Sequence, residues 1–194
     1  MDSIGTDESP KSPFPDPTVL VTGHNSTGKA IVQSSTVEEA KAYQGMRVSH
    51  SLIYTTSEFP PDLNEDKDIK LHEKIKASGN LKIVNPHGTV IRIVNFAPYN
   101  KSMMHRTQSL DYGIVLEGEM VMELDDGSRT LMHKGDVAVQ RATMHTWKNA
   151  SETEWARMLF ILQDCHPVLV GGQRLKEDLG HVGYSVFPSS GNDE

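Results

Sequence analysis

The sequence predicts an all-β domain, a sandwich or barrel of short antiparallel strands with short peripheral helices. Three observations lead there. Short runs rich in β-branched and aromatic residues follow one another closely from Val19 to Leu162. Gly and Asp turn signals punctuate them, and no helical segments alternate with them as an α/β fold requires. The chain has 194 residues, 37% hydrophobic and 23% charged, enough for one core and too few for two ordinary domains.

The elements follow in order. Residues 1–17 carry four prolines and four acidic residues with almost nothing to bury, which predicts a disordered tail. Val19–Val21 and Ala30–Val32 then flank a turn holding Gly23, Asn25 and Gly28. Arg47–Thr56 alternates apolar and polar residues, the period of a half-buried strand. After Pro60-Pro61, Asp66–Ser78 is rich in Lys, Glu and Leu and stops at Gly79, which predicts a short helix. Thr89–Ala97 is β-rich and ends at Pro98. Tyr112–Leu116, Met120–Leu124, Arg129–His133, Val137–Gln140, His145–Lys148 and Ala156–Leu162 supply further strands. Asp126-Gly127 is a hairpin signal between two of them. The folded domain is placed at 18–170. Residues 171–194 form a C-terminal extension, partly disordered, because FPSSGNDE resembles the N-terminal tail in composition.

Charge and composition exclude several functions. Nineteen basic against 26 acidic residues leave a net charge of −7, which opposes a nucleic-acid or anionic-membrane partner. No apolar run nears the roughly 18 residues of a membrane span. The first seventeen residues hold no apolar stretch that would serve as a secretory signal, so a cytoplasmic location is expected. The single cysteine, Cys165, supports neither a disulfide framework nor a cysteine-rich metal site.

The segment from Gly23 to Lys29 has the spacing of a phosphate-binding loop. Ala30 follows the lysine where that motif needs a hydroxyl, and the next residues are strand-like rather than helical. A hairpin turn is the better reading. Sequons at Asn25, Asn100 and Asn149 carry no weight without a secretory signal.

Chemistry concentrates between Pro98 and Asn149. If Met103–Glu117 includes a strand, His105 and Thr107 share one face. His145 comes from a later strand that can lie beside it. Two imidazoles and the Asp111 carboxylate converging in a barrel would form a divalent-metal site with open positions. The alternatives are pocket histidines without metal, and an Asp111 that accepts a hydrogen bond from Arg106, Thr107 or a backbone N–H. Trp147 and Tyr112 either line the pocket or pack between sheets. Arg141, if it points inward, would bind a carboxylate or phenolate bidentately; otherwise it lies on the surface.

These residues resemble the motifs of the cupins. The first cupin motif is a His-x-His pair, an acidic residue and a glycine; here it reads His105-x-Thr107, then Asp111 and Gly118. The second begins Gly-Asp and ends His…Asn; here it is Gly135-Asp136 with His145 and Asn149. Thr107 replaces the second histidine, Asp111 is one methylene shorter than glutamate, and the second motif lacks its proline and glycine. The stretch MHRTQSLDYGIVLEGE also resembles single-domain cupins of microbial and fungal small-molecule pathways.

The resemblance implies a double-stranded β-helix, a jelly-roll barrel, whose mouth holds a small molecule and a divalent metal (Fe, Zn, Ni or Mn) on His105, Asp111 and His145. It implies an enzyme acting on a small, apolar, oxygenated metabolite by oxygenation, isomerisation, dehydration or decarboxylation. Those three residues would be catalytic, with Thr107, Tyr112, Arg141 and Trp147 lining the substrate pocket. A metal-free small-molecule-binding module is the alternative, and a ligand-sensing domain a third. Exposed sheet edges near Val19–Val32 predict a symmetric homodimer.

Overall fold

A computed structural model of the chain describes residues 10–43 and 45–193. In chain order the strands are β1 (Thr18–His24), β2 (Ala30–Val37), β3 (Lys41–Tyr43), β4 (Val48–Thr56), β5 (Thr89–Phe96), β6 (Ser109–Glu117) and β7 (Met120–Leu124). Then come β8 (Arg129–Met132), β9 (Val137–Arg141), β10 (His145–Asn149), β11 (Ala156–Asp164), β12 (Val168–Val170) and β13 (Gln173–Leu175). The α-helices are α1 (Lys67–Ser78) and α2 (Gly180–Val186).

Two sheets make the jelly-roll barrel. One has the order β3-β4-β5-β11-β6-β9 and the other β10-β7-β8, so the chain crosses repeatedly from sheet to sheet. All pairings within them are antiparallel. Alternation sorts the side chains. On β5, Val90, Arg92, Val94 and Phe96 are buried while Ile91 and Ile93 are half-buried on the other face. Met120, Met158, Val115 and Trp147 complete the core between the sheets. Each such side chain contributes about 1.5–3 kcal/mol by leaving water.

Turns behave as their residues dictate. Gly127 adopts φ +83° between β7 and β8, and the Asp126 carboxylate accepts the Ser128 N–H at 2.9 Å. At Gly118, between β6 and β7, φ is +73° and an added Cβ would lie 2.8 Å from the Trp155 carbonyl oxygen, so only glycine fits. The Gly23–Lys29 segment is a hairpin turn closed by Asn25, whose side chain accepts the Thr27 and Lys29 N–H groups. Helix α1 buries only His72, which stacks on Tyr54 and shares a 3.0 Å hydrogen bond with Thr55. A polar anchor therefore docks this helix.

Three expectations about the periphery need correction. Hairpin β1–β2 forms a two-stranded sheet of its own, with all eight residues of β2 exposed, rather than joining the barrel. Of the expected N-terminal tail, residues 1–9 lie outside the described residues, whereas residues 14–16 are held. Arg157 sits 4.8 Å over the Phe14 ring and donates to the Pro15 carbonyl, and Asp16 accepts the Ala40 N–H. The C-terminal extension is also ordered where described. Leu179 is fully buried, Phe187 enters the core, and Ser190 and Asn192 hydrogen-bond to Val84, Gln108 and Asp164. Two large apolar anchors sufficed, too few to stand out in a polar, Gly-Ser-rich stretch.

Candidate functional site

Between the sheets lies a cavity of about 120 Å³. Its walls are chiefly apolar, from Met46, Val94, Phe96, Phe160, Leu162 and Phe187. Against them stand His105, Asp111, His145 and Arg92.

His105 and His145 are held as a pair by the backbone. They form an isolated antiparallel bridge, each donating its N–H to the other's carbonyl at 2.9 Å. Their rings are consequently neighbours, with centroids 4.4 Å apart. Each Nδ1 lies 2.9 Å from a carbonyl two residues earlier, Met103 for His105 and Thr143 for His145. A carbonyl only accepts, so Nδ1 carries the hydrogen and the Nε2 lone pair is left to the cavity. Burial lowers both pKa values, that of His145 to about 3, so both rings are neutral at physiological pH.

Asp111 comes from β6, in the other sheet, and is buried. Its Oδ2 is 3.5 Å from the Thr107 hydroxyl, which in turn accepts from Ser109 at 2.8 Å. Among the described residues its Oδ1 meets no hydrogen-bond donor. Desolvation outweighs the hydroxyls of Ser109 and Thr107 and the field of Arg92, raising the carboxyl pKa to about 7.

Comparison with known proteins now places the chain. The cupin domain model matches residues 92–162. "Oryzines biosynthesis cluster protein J" of Aspergillus oryzae is 37% identical over 174 residues, 89% of this chain and 97% of that protein. The chain belongs to the cupin family. "Cupin-domain-containing oxidoreductase fogC" of Aspergillus ruber is 36% identical over 181 residues, 92% of this cupin and 87% of the relative. "Phomopsin biosynthesis cluster protein D" of Diaporthe leptostromiformis is 38% identical over 160 residues, 82% and 84% of the two chains. Among solved structures, the polyketide cyclase RemF of Streptomyces resistomycificus is 16% identical, covering 81% of this chain and 85% of that one with a TM-score of 0.44. No helix among the described residues is long and apolar enough to cross a membrane.

His105, Asp111 and His145, the expected metal set, all line the cavity. Among the described residues no three His, Cys, Asp or Glu side chains are placed to share an ion. The reason is local. Strand β6 begins only at Ser109, so strand alternation does not carry from His105 to Asp111. His105 turns aside to pair with β10 of the smaller sheet, while Asp111 belongs to the larger. The two imidazoles have the tautomer a metal ligand needs, with Nδ1–H held by a carbonyl.

The expected pocket residues divide. Trp147 lines the cavity and packs edge-on to His145, centroids 5.6 Å apart. Thr107 is buried beside Asp111 without lining the cavity. Tyr112 lies on the face of β6 opposite Asp111, paired across the sheet with Val139. Arg141 is exposed at the end of β9, so it takes no part in the pocket. Sequence reading missed Arg92, Tyr43 and Phe187. The signal for Arg92 was present: within TVIRIVNF it shares the inward period of Val90 and Val94.

Proposed function

We propose that this cupin is an acid–base enzyme of secondary metabolism that moves a proton on a small, apolar, oxygenated substrate held in the barrel. The observation that carries the reading is a buried Asp111 carboxyl with pKa near 7, facing an apolar cavity with two neutral imidazoles. The names of the relatives, which place them in biosynthesis clusters, support the metabolic setting.

Magnitudes assign the roles. A proton-transfer group works best with a pKa near the working pH. Asp111 meets that condition; His145, at about 3, is too weak a base to compete. Asp111 therefore takes a proton from an acidic C–H or O–H of the substrate and returns it to another atom, giving isomerisation, or to a departing hydroxyl, giving loss of water. The Nε2 atoms of His105 and His145 accept hydrogen bonds from substrate hydroxyls and orient them. Relatives are named oxidoreductases; an oxidation here would need an electron acceptor from outside the chain, and deprotonation by Asp111 is the step these residues serve.

Deuterium exchange tests the assignment. The α-hydrogens of 2-tetralone in D₂O should exchange faster with the protein than without it, the rate rising through pH 7 as Asp111 ionises. Asp111→Asn should abolish the acceleration, and chelation with EDTA should leave it intact. Loss of exchange on chelation, or full exchange by Asp111→Asn, refutes the proposal.

A further inference from the structure

We infer that Arg92 is the anion anchor of the cavity, so that the substrate class is a small apolar acid whose carboxylate or phenolate oxygen docks on this guanidinium. The inference builds on the acid–base reading, from which it takes only the cavity.

Arg92 stands on β5, within the inward row of Val90, Val94 and Phe96, and only 5% of its surface is exposed. Its Nη2 donates to the carbonyls of Lys82 and Ile83 at 2.8 and 3.1 Å, and its Nη1 reaches the Tyr43 hydroxyl at 3.5 Å. Its Nε is buried without a hydrogen-bond partner among the described residues. Among the described residues Arg92 makes no ion pair. An arginine is always charged, and a buried charge ordinarily has a counter-ion. Here the side chain is a lining residue of the cavity, opposite apolar walls.

The carbonyls take the Nη2 hydrogens and fix the plane of the guanidinium, so its charge and a remaining Nη1–H, rather than a bidentate fork, are what it offers an anionic oxygen. Tyr43 is positioned from both sides: it stacks on His50 with centroids 4.3 Å apart and meets Phe187 edge-on at 4.9 Å. At the cavity's other polar site, the neutral His105 and His145 carry no charge to attract an anion. An anionic head on Arg92 thus orients the apolar body along the barrel toward Asp111. The role first considered for Arg141 falls to Arg92, because Arg141 is on the surface.

Calorimetric titration of the full chain with three probes at pH 6 decides the matter: 4-nitrobenzoate, 2,4-dinitrophenolate and the neutral 4-nitrobenzamide. At least one anion should bind tenfold or more tightly than the amide, and which one does so distinguishes carboxylate from phenolate. Arg92→Met should bring the anions to within about twofold of the amide while the amide's own affinity holds. Should that variant not fold, Arg92→Gln, which removes the charge and keeps a polar group, should cut the preference at least threefold. Equal affinities for all three probes in the wild type overturn the inference, as does a preference unchanged in either variant. None of these probes exchanges a proton with Asp111, so failure here leaves the acid–base reading to its own test.

Discussion

Replacing Asp111 with Asn is expected to stabilise the protein at alkaline pH while removing its proton-transfer group. The carboxyl has a folded pKa of about 7, against roughly 3.9 in the unfolded chain. A folded value above the unfolded one means that the stability is whole below about pH 3.9. It falls as pH rises, the loss being complete once the pH passes about 7. Three decades at about 1.4 kcal/mol each put the loss on the order of 4 kcal/mol. Asparagine cannot ionise and escapes it. Against that gain stands the 3.5 Å contact from Thr107, too long to be worth more than about 1 kcal/mol. The net gain is about 2–3 kcal/mol at pH 8 and close to zero at pH 4.5. For a chain of this size that corresponds to roughly 5–10 °C in Tm at pH 8. Thermal melts of both proteins at the two pH values, followed by circular dichroism, measure it directly. A variant that melts at or below the wild type at pH 8, or that differs equally at both pH values, refutes the reasoning. A positive result would show a group retained at a cost in stability, as functional sites often are.

Other outcomes follow from the same structure. His50 and His145 both have pKa values lowered to about 3 by burial, so the stability they confer is present above about pH 6.5. It falls by up to about 1.4 kcal/mol per pH unit for each imidazole as acid is added; His50→Phe, which keeps the stack on Tyr43, should flatten that acid limb in circular dichroism, and an unchanged limb would contradict it. Met158 is fully buried in the core, so Met158→Ala should cost about 2–5 kcal/mol in urea unfolding, and a loss under 1 kcal/mol would mean the core is packed otherwise. Hairpin β1–β2 leaves Leu20, Val32 and Val37 each about 60% exposed, consistent with the homodimer expected from the sequence; light scattering should give twice 21.5 kDa, and the monomer mass would refute it.

Much of the barrel was legible along the chain. Met120–Leu124, Asp126-Gly127 and Arg129 onward read as a hairpin because alternation and a Gly turn are local properties, decided within a few residues. The strands read at Thr89, Val137, His145 and Ala156 lie where they were expected, to within two residues at either end, for the same reason. The pairing of His105 with His145, forty residues apart, was legible only through the cupin motifs. What sequence could not decide was the position of Asp111 relative to that pair. Register within one strand is local, but whether residues 105–108 stay in β6 or leave it for β10 depends on which sheet offers hydrogen bonds, and only the assembled barrel offers them. The C-terminal segment was unreadable for a related reason: Leu179 and Phe187 are ordinary residues until a core exists to receive them. Arg92 shows the boundary most plainly. Its alternation already placed it inward, yet whether a buried guanidinium meets a carboxylate or an open cavity depends on side chains brought from β3, β6 and the C-terminal extension, which no local pattern contains.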